Sequence, residues 1–139
     1  MNYEAMLLKK NLKRTFPRIK VLEILDQSDN FMSAEEIRVS FKDDAHSLPL
    51  STIYRVLDSL VQNDLVTVLN LDHRNIKLYE IAHKHHSHHL ICVECDKVIH
   101  LEKCPVHVFE EELKDTYGFK MQHHSLDFYG VCESCQKAL

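Results

Sequence analysis

Residues 51–81, STIYRVLDSLVQNDLVTVLNLDHRNIKLYEI, change hydrophobic period once. Ile53, Val56, Leu57, Leu60 and Val61 recur at helical spacing and form one apolar face over 51–63, with Ser51 placed to cap the start. Tyr54, Arg55 and Asp58 stay off that face. Beyond it, Leu65–Leu69 and Lys77–Ile81 read as β-strands, separated by the polar stretch Asn70–Asn75 with its turn at Asp72–Asn75. An amphipathic helix running into a hairpin is the end of a longer pattern that begins upstream.

Three helices precede this one. Met6, Leu7 and Leu8 allow a short helix over Tyr3–Asn11, and Thr15-Phe16-Pro17 starts a second, with Thr15 as cap and Pro17 in the first turn. Ile19, Leu22, Ile24 and Leu25 give it an apolar stripe that ends around Asp26–Asn30. Ser33-Ala34-Glu35-Glu36 matches a capping box and predicts a third helix to about Lys42, followed by a loop over Asp43–Pro49. The last three helices and the hairpin together make a winged helix-turn-helix. In that arrangement the second helix of the turn enters the major groove of double-stranded DNA, and Ser51, Thr52, Tyr54 and Arg55 lie near its exposed N-terminal end.

Charge agrees with this reading. The formal net charge is −4, yet Lys9, Lys10, Lys13, Arg14, Arg18 and Lys20 fall together with no acidic residue between Lys9 and Leu22. Standing alone, such a run is a solvated helix face and Tyr54 a half-buried ring. Combined with the winged helix they point to DNA, with Lys13 and Arg18 as candidate contacts beside Ser51, Thr52, Tyr54 and Arg55.

Downstream the composition shifts. His83–Cys95, HKHHSHHLICVEC, holds five histidines in seven residues and then Cys92 and Cys95; a second Cys-x-x-Cys pair, Cys132 and Cys135, closes the chain. Two such pairs supply the four thiolates of a structural Zn²⁺ site, and the 36 residues between them are spanned by a strand, a helix and a strand. Leu90–Cys92 and Lys97–Leu101 are the strands around the first pair, Val106–Tyr117 is a helix stopped by Gly118, and Leu126–Val131 is the strand that delivers Cys132. Cys104 has no partner at knuckle spacing and reads as an ordinary half-buried thiol. On a strand, His86 and His88 share one face while Ser87 and His89 share the other, so one run can feed two metal sites. His100, His107, His123 and His124 are further imidazoles in the same half.

The chain has 139 residues, 45% of them hydrophobic, enough for two small domains. Its N-terminus lacks the pattern of a secretory signal and no apolar run reaches membrane-spanning length, so the expectation is a cytoplasmic protein with no membrane partner. In a reducing compartment five cysteines, an odd number, are metal ligands before they are disulfides. An enzymatic alternative is a zinc-dependent hydrolase or deaminase: His100-Leu101-Glu102 matches half of a deaminase motif, but Val131 stands where its proline belongs and Cys92 and Cys95 are left without a role. A zinc-knuckle interaction module that never touches DNA is a third class.

The joint order of Thr15-Phe-Pro-Arg18, the Ser51–Leu57 helix, Leu78-Tyr-Glu80, the histidine run before Cys92-x-x-Cys95, Gly118-Phe119 before His123-His124, and Tyr129-Gly-Val-Cys-x-Ser-Cys135 resembles the ferric uptake regulator superfamily over essentially the whole length. The resemblance implies an α+β chain and no enzyme: a winged-helix DNA-binding domain over residues 1–82 and an α/β metal-binding and dimerisation domain over 83–139, with 83–89 as the interdomain connection. It implies a homodimeric repressor that grips palindromic operator DNA when regulatory metal is bound and so controls metal-uptake genes. By the same resemblance the structural zinc falls on Cys92, Cys95, Cys132 and Cys135, and a dimerisation-domain site on His86, His88, His107 and His124. An interdomain sensory site falls on Glu80, His89 and His100, with His85 or His83 to complete it, because Ser87 and the Phe31-Met32 region stand where histidines are frequent.

Imidazole donors favour Zn²⁺ over Mn²⁺ and Fe²⁺, and also suit Ni²⁺. Glu102-Lys-Cys-Pro105 and the dense histidine run further resemble the zinc uptake regulators of this superfamily, whereas Ile81-Ala82 stand where many zinc sensors carry a cysteine. The expected effector is therefore zinc, with an iron-responsive or peroxide-sensing regulator as the alternative.

Overall fold

The computed structural model describes residues 1–41, 48–82 and 88–138. The chain divides into two compact units, Met1–Ala82 and His83–Leu139. No helix of the described residues is long and apolar enough to cross a membrane.

The first unit is a winged helix-turn-helix. Its elements are α1 (Tyr3–Lys9), α2 (Phe16–Gln27), β1 (Met32–Ser33), α3 (Ala34–Val39), α4 (Leu50–Gln62), β2 (Val66–Leu71) and β3 (Ile76–Ile81). Leu7, Leu22, Ile37, Phe41, Ile53, Leu57 and Leu60 close one apolar core without solvent exposure. The hairpin is antiparallel, with Val68 opposite Tyr79. β1 joins β3 on its other side, giving the order β1-β3-β2.

Several ends differ from expectation for local reasons. Thr15 precedes α2 with an extended backbone and no side-chain cap; its carbonyl accepts from the Ile19 N–H, and Pro17 occupies the first turn. α4 begins at Leu50 rather than after Ser51, because the carbonyl of extended Pro49 already accepts from Thr52 and Ile53. α3 is capped as expected, the Ser33 hydroxyl accepting from the Glu36 N–H at 3.1 Å. It stops at Val39, where the Ser40 hydroxyl bonds back to the Glu36 carbonyl and Phe41 turns into the core. Lys42, the expected end of that helix, lies outside the described residues.

The second unit contains β4 (His88–Cys92), β5 (Val98–Leu101), α5 (His107–Tyr117), β6 (Asp127–Gly130) and α6 (Glu133–Ala138). β4 is central, antiparallel to β5 and parallel to β6. His88 and His89, expected in the connection, belong to the sheet: His88 is opposite Leu101, and His89 is opposite both His100 and Asp127. Gly118 ends α5 at φ 72°, a left-handed position that suits glycine, and donates to the Lys114 carbonyl at 2.8 Å. α6, which no sequence signal announced, begins inside the second knuckle and carries Cys135.

Candidate metal centres and nucleic-acid interface

Four thiols meet in the second unit. The Sγ atoms of Cys92, Cys95, Cys132 and Cys135 all lie within 4.8 Å of one another, and Cys95 Sγ is 3.8 Å from Cys132 Sγ. Two sulfurs each about 2.3 Å from a common ion at a tetrahedral angle are about 3.8 Å apart, so this spacing suits zinc. The knuckles also prepare the charge. The Cys132 N–H donates to Cys92 Sγ at 3.3 Å, and that bond, with another from Cys95, draws the Cys92 thiol down to about 6. Cys135 is pushed up to about 12 by the thiol of Cys132 and by burial. One thiolate forms readily here; four require a cation among them.

β4 distributes its two histidines to opposite faces, as strand alternation demands. On one side His88 Nδ1 donates to the Leu126 carbonyl at 2.8 Å, which leaves a lone pair on Nε2. His124 is held the same way by the Glu110 carboxylate on its Nδ1. The two Nε2 atoms face each other at 3.0 Å, and Cys104 Sγ is 3.2 Å from that of His124. His88, Cys104 and His124 therefore converge three donors, all within 4.8 Å. His107, expected in this set, is exposed at the start of α5 and lies outside that group. His86 lies outside the described residues, as do His83 and His85.

On the other side His89 is buried, and its Nδ1 donates to Asp127 Oδ1 at 2.8 Å, while its backbone N–H reaches the same oxygen at 3.1 Å. Its ring stands edge-on to that of His100, centroids 5.0 Å apart. A carboxylate on Nδ1 fixes the tautomer and the ring orientation, the support that metal-binding histidines commonly have. Glu80 belongs to the first unit, buried on β3 opposite Thr67, where burial pushes its carboxyl up to about 7.

Sequence reasoning passed over Glu110 and Asp127 and read Cys104 as an ordinary half-buried thiol. Asp127 becomes visible only through the parallel pairing of β4 with β6, and Glu110 and Cys104 only once His124 is placed. None of the three stands at a motif spacing.

In the first unit, α4 buries Ile53, Leu57 and Leu60 and exposes Ser51, Tyr54 and Arg55, with Thr52 half-buried. The Tyr54 hydroxyl lies 3.4 Å from a Glu35 carboxylate oxygen on α3, so the two helices of the turn meet at this edge. Lys13 is exposed. Arg18 is half-buried and donates to the Lys13 carbonyl at 3.0 Å and to Ser59 Oγ at 3.4 Å. It therefore also ties the start of α2 to α4.

Residues 9–129 match the ferric uptake regulator family. The ferric uptake regulation protein of Escherichia coli strain K12 is 35% identical over 127 residues, covering 91% of this chain and 85% of that protein. Among solved structures, the Helicobacter pylori ferric uptake regulator, described as having three functional metal binding sites, aligns with a TM-score of 0.81 at 28% identity, over 96% of this chain and 88% of that one. The Vibrio cholerae ferric uptake regulator aligns with a TM-score of 0.79 at 31% identity, over 94% of this chain and 100% of that one. A winged helix-turn-helix, two cysteine knuckles and a match over this length lead to one conclusion: the chain belongs to the ferric uptake regulator family.

Proposed function

We propose that this protein is a metal-responsive transcriptional repressor that binds operator DNA as a homodimer, keeps a structural zinc on its four knuckle cysteines, and senses zinc. The observation that carries the metal reading is that His88, His89 and His124 each donate Nδ1–H to an oxygen, presenting the Nε2 lone pair. Imidazoles oriented in this way suit zinc better than manganese or iron. A second reading, iron(II), draws support from relatives named ferric uptake regulation proteins and from the carboxylates of Glu110 and Asp127 beside two of these rings.

DNA binding is assigned to the exposed edge of α4, with Ser51, Thr52, Tyr54 and Arg55 towards the groove and Lys13 and Arg18 towards the backbone. Dimerisation is assigned to the second unit. Ile99, Leu90 and Phe128 are register neighbours across its sheet, each about two-fifths exposed, and form an apolar row that a second copy would cover.

The test is retention of a pool of random DNA duplexes by the full chain in buffered Zn²⁺, Fe²⁺, Mn²⁺ or Ni²⁺. Zinc should produce a salt-sensitive, sequence-selective complex, and Arg55→Ala should weaken it by about 1–3 kcal/mol without changing zinc content. Iron(II) restoring DNA binding while zinc leaves it at the metal-free level would replace zinc with iron. Equal DNA binding with and without every metal would remove the sensory role.

A further inference from the structure

We infer that Cys104 is a metal ligand which, with His88 and His124, forms a mixed thiolate and imidazole site for a borderline-soft divalent ion; the inference rests on the reading above that His88 and His124 hold metal. Cys104 lies between β5 and α5, outside both knuckles, and is half-buried. Its sulfur is 3.2 Å from an Nε2 that already faces the Nε2 of His88 at 3.0 Å. Both ring Nδ1 atoms are occupied as donors, to the Leu126 carbonyl and the Glu110 carboxylate. Two ring nitrogens and a thiol sulfur thus converge on one point, each of them an atom that can bind a metal ion.

The spacing agrees. Donors at zinc bond lengths and tetrahedral angles stand about 3.3 Å apart for two nitrogens and about 3.6 Å for nitrogen and sulfur, a few tenths of an ångström wider than seen here. On binding, the Cys104 S–H bond breaks, its proton passes to solvent, and a sulfur–metal bond forms. A thiolate in this position tilts selection away from Mn²⁺ and Fe²⁺ towards Zn²⁺ and Co²⁺. It also gives the fifth cysteine, the one without a knuckle partner, a role.

The experiment starts from full chain whose knuckle cysteines hold zinc and adds Co²⁺, following the near-ultraviolet sulfur-to-cobalt charge-transfer band. In parallel, alkylation of Cys104 is followed by mass spectrometry with and without Zn²⁺. The inference expects a charge-transfer band that Cys104→Ser and His88→Ala each abolish and His107→Ala retains, with at least about 100-fold weaker Co²⁺ binding at this site in Cys104→Ser. It also expects Zn²⁺ to slow alkylation of Cys104. Cobalt bound in a His88-dependent way without a charge-transfer band, and with Cys104 alkylated at an unchanged rate, would overturn the inference while leaving His88 a ligand. Cobalt binding indifferent to His88→Ala would overturn both this inference and the reading it rests on.

Discussion

The two units are held together by different physics. In the first, the helices and the wing bury a continuous apolar core that runs from Leu7 to Tyr79 and Ile81. In the second, the buried hydrophobics among the described residues are Ile91 and Cys92, and beside them the buried positions are histidines, His88 and His89. Leu90, Ile99, Val108, Phe109, Tyr117, Phe119, Phe128 and Tyr129 are exposed, while Leu101, Leu113 and Leu126 are half-buried. A unit of this size with so little core depends on metal or on a partner surface for its stability. Stability in the first unit thus comes from burial, whereas the second leaves it to metal or to a partner surface. Metal removal is therefore expected to lower the stability of the second unit before that of the first.

The largest effect should come from removing the knuckle metal. Structural zinc sites contribute on the order of 10–16 kcal/mol of apparent binding free energy, which here is folding energy. Chelation, or Cys92→Ser, should therefore unfold or dissociate the second unit while the first keeps its helical circular dichroism and the hydrogen-exchange protection of α4. Loss of protection in both units together would break the comparison. The reciprocal change is Leu57→Ala on the buried face of α4, where a fully buried leucine is lost and a cavity is left. It should destabilise the first unit by about 2–5 kcal/mol in denaturant titration. Zinc content and oligomeric state should not move, and zinc released in proportion to the unfolding of the first unit would show that the two stabilities are not separate.

The same division explains what the sequence made legible. Burial writes itself periodically, so α4 and the hairpin were readable from Ile53, Leu57 and Leu60 at helical spacing and from the change of period after Leu65. The knuckles were readable because Cys-x-x-Cys is a local spacing, and the opposite facing of His88 and His89 because strand alternation is local too. What escaped depends on distant pairing. Cys104 was read as an ordinary thiol because its neighbour His124 is 20 residues away, and Asp127 was passed over because it meets His89 across 38 residues through a parallel pair of strands. Local signals also overshot. Ser51 carries the residue type of a cap but sits inside the first turn, since the Pro49 carbonyl had already taken the first helical hydrogen bonds. Two-residue β1 is too short to show any period.

The smallest expected effect sharpens the comparison within the second unit, where carboxylates of Asp127 and Glu110 hold the rings of His89 and His124. Asp127 Oδ1 accepts from both the ring Nδ1 and the backbone N–H of His89, fixing the ring's tautomer and its rotation on β4. Removing such a support commonly costs about 10–100-fold in metal affinity, about 1.4–2.7 kcal/mol. Asp127→Ala should therefore shift the metal concentration that half-saturates DNA binding upward by that factor and restore the wild-type complex at saturating metal. The knuckle zinc should stay, because neither of these bonds involves a knuckle cysteine. A strand-pairing role alone would instead lower the stability of the sheet and leave the metal midpoint of the folded fraction where it was. Measuring the midpoint and hydrogen-exchange protection of β4 on the same samples separates the two. An unmoved midpoint would mean that the His89 ring is positioned by its packing beside His100 and not by the carboxylate.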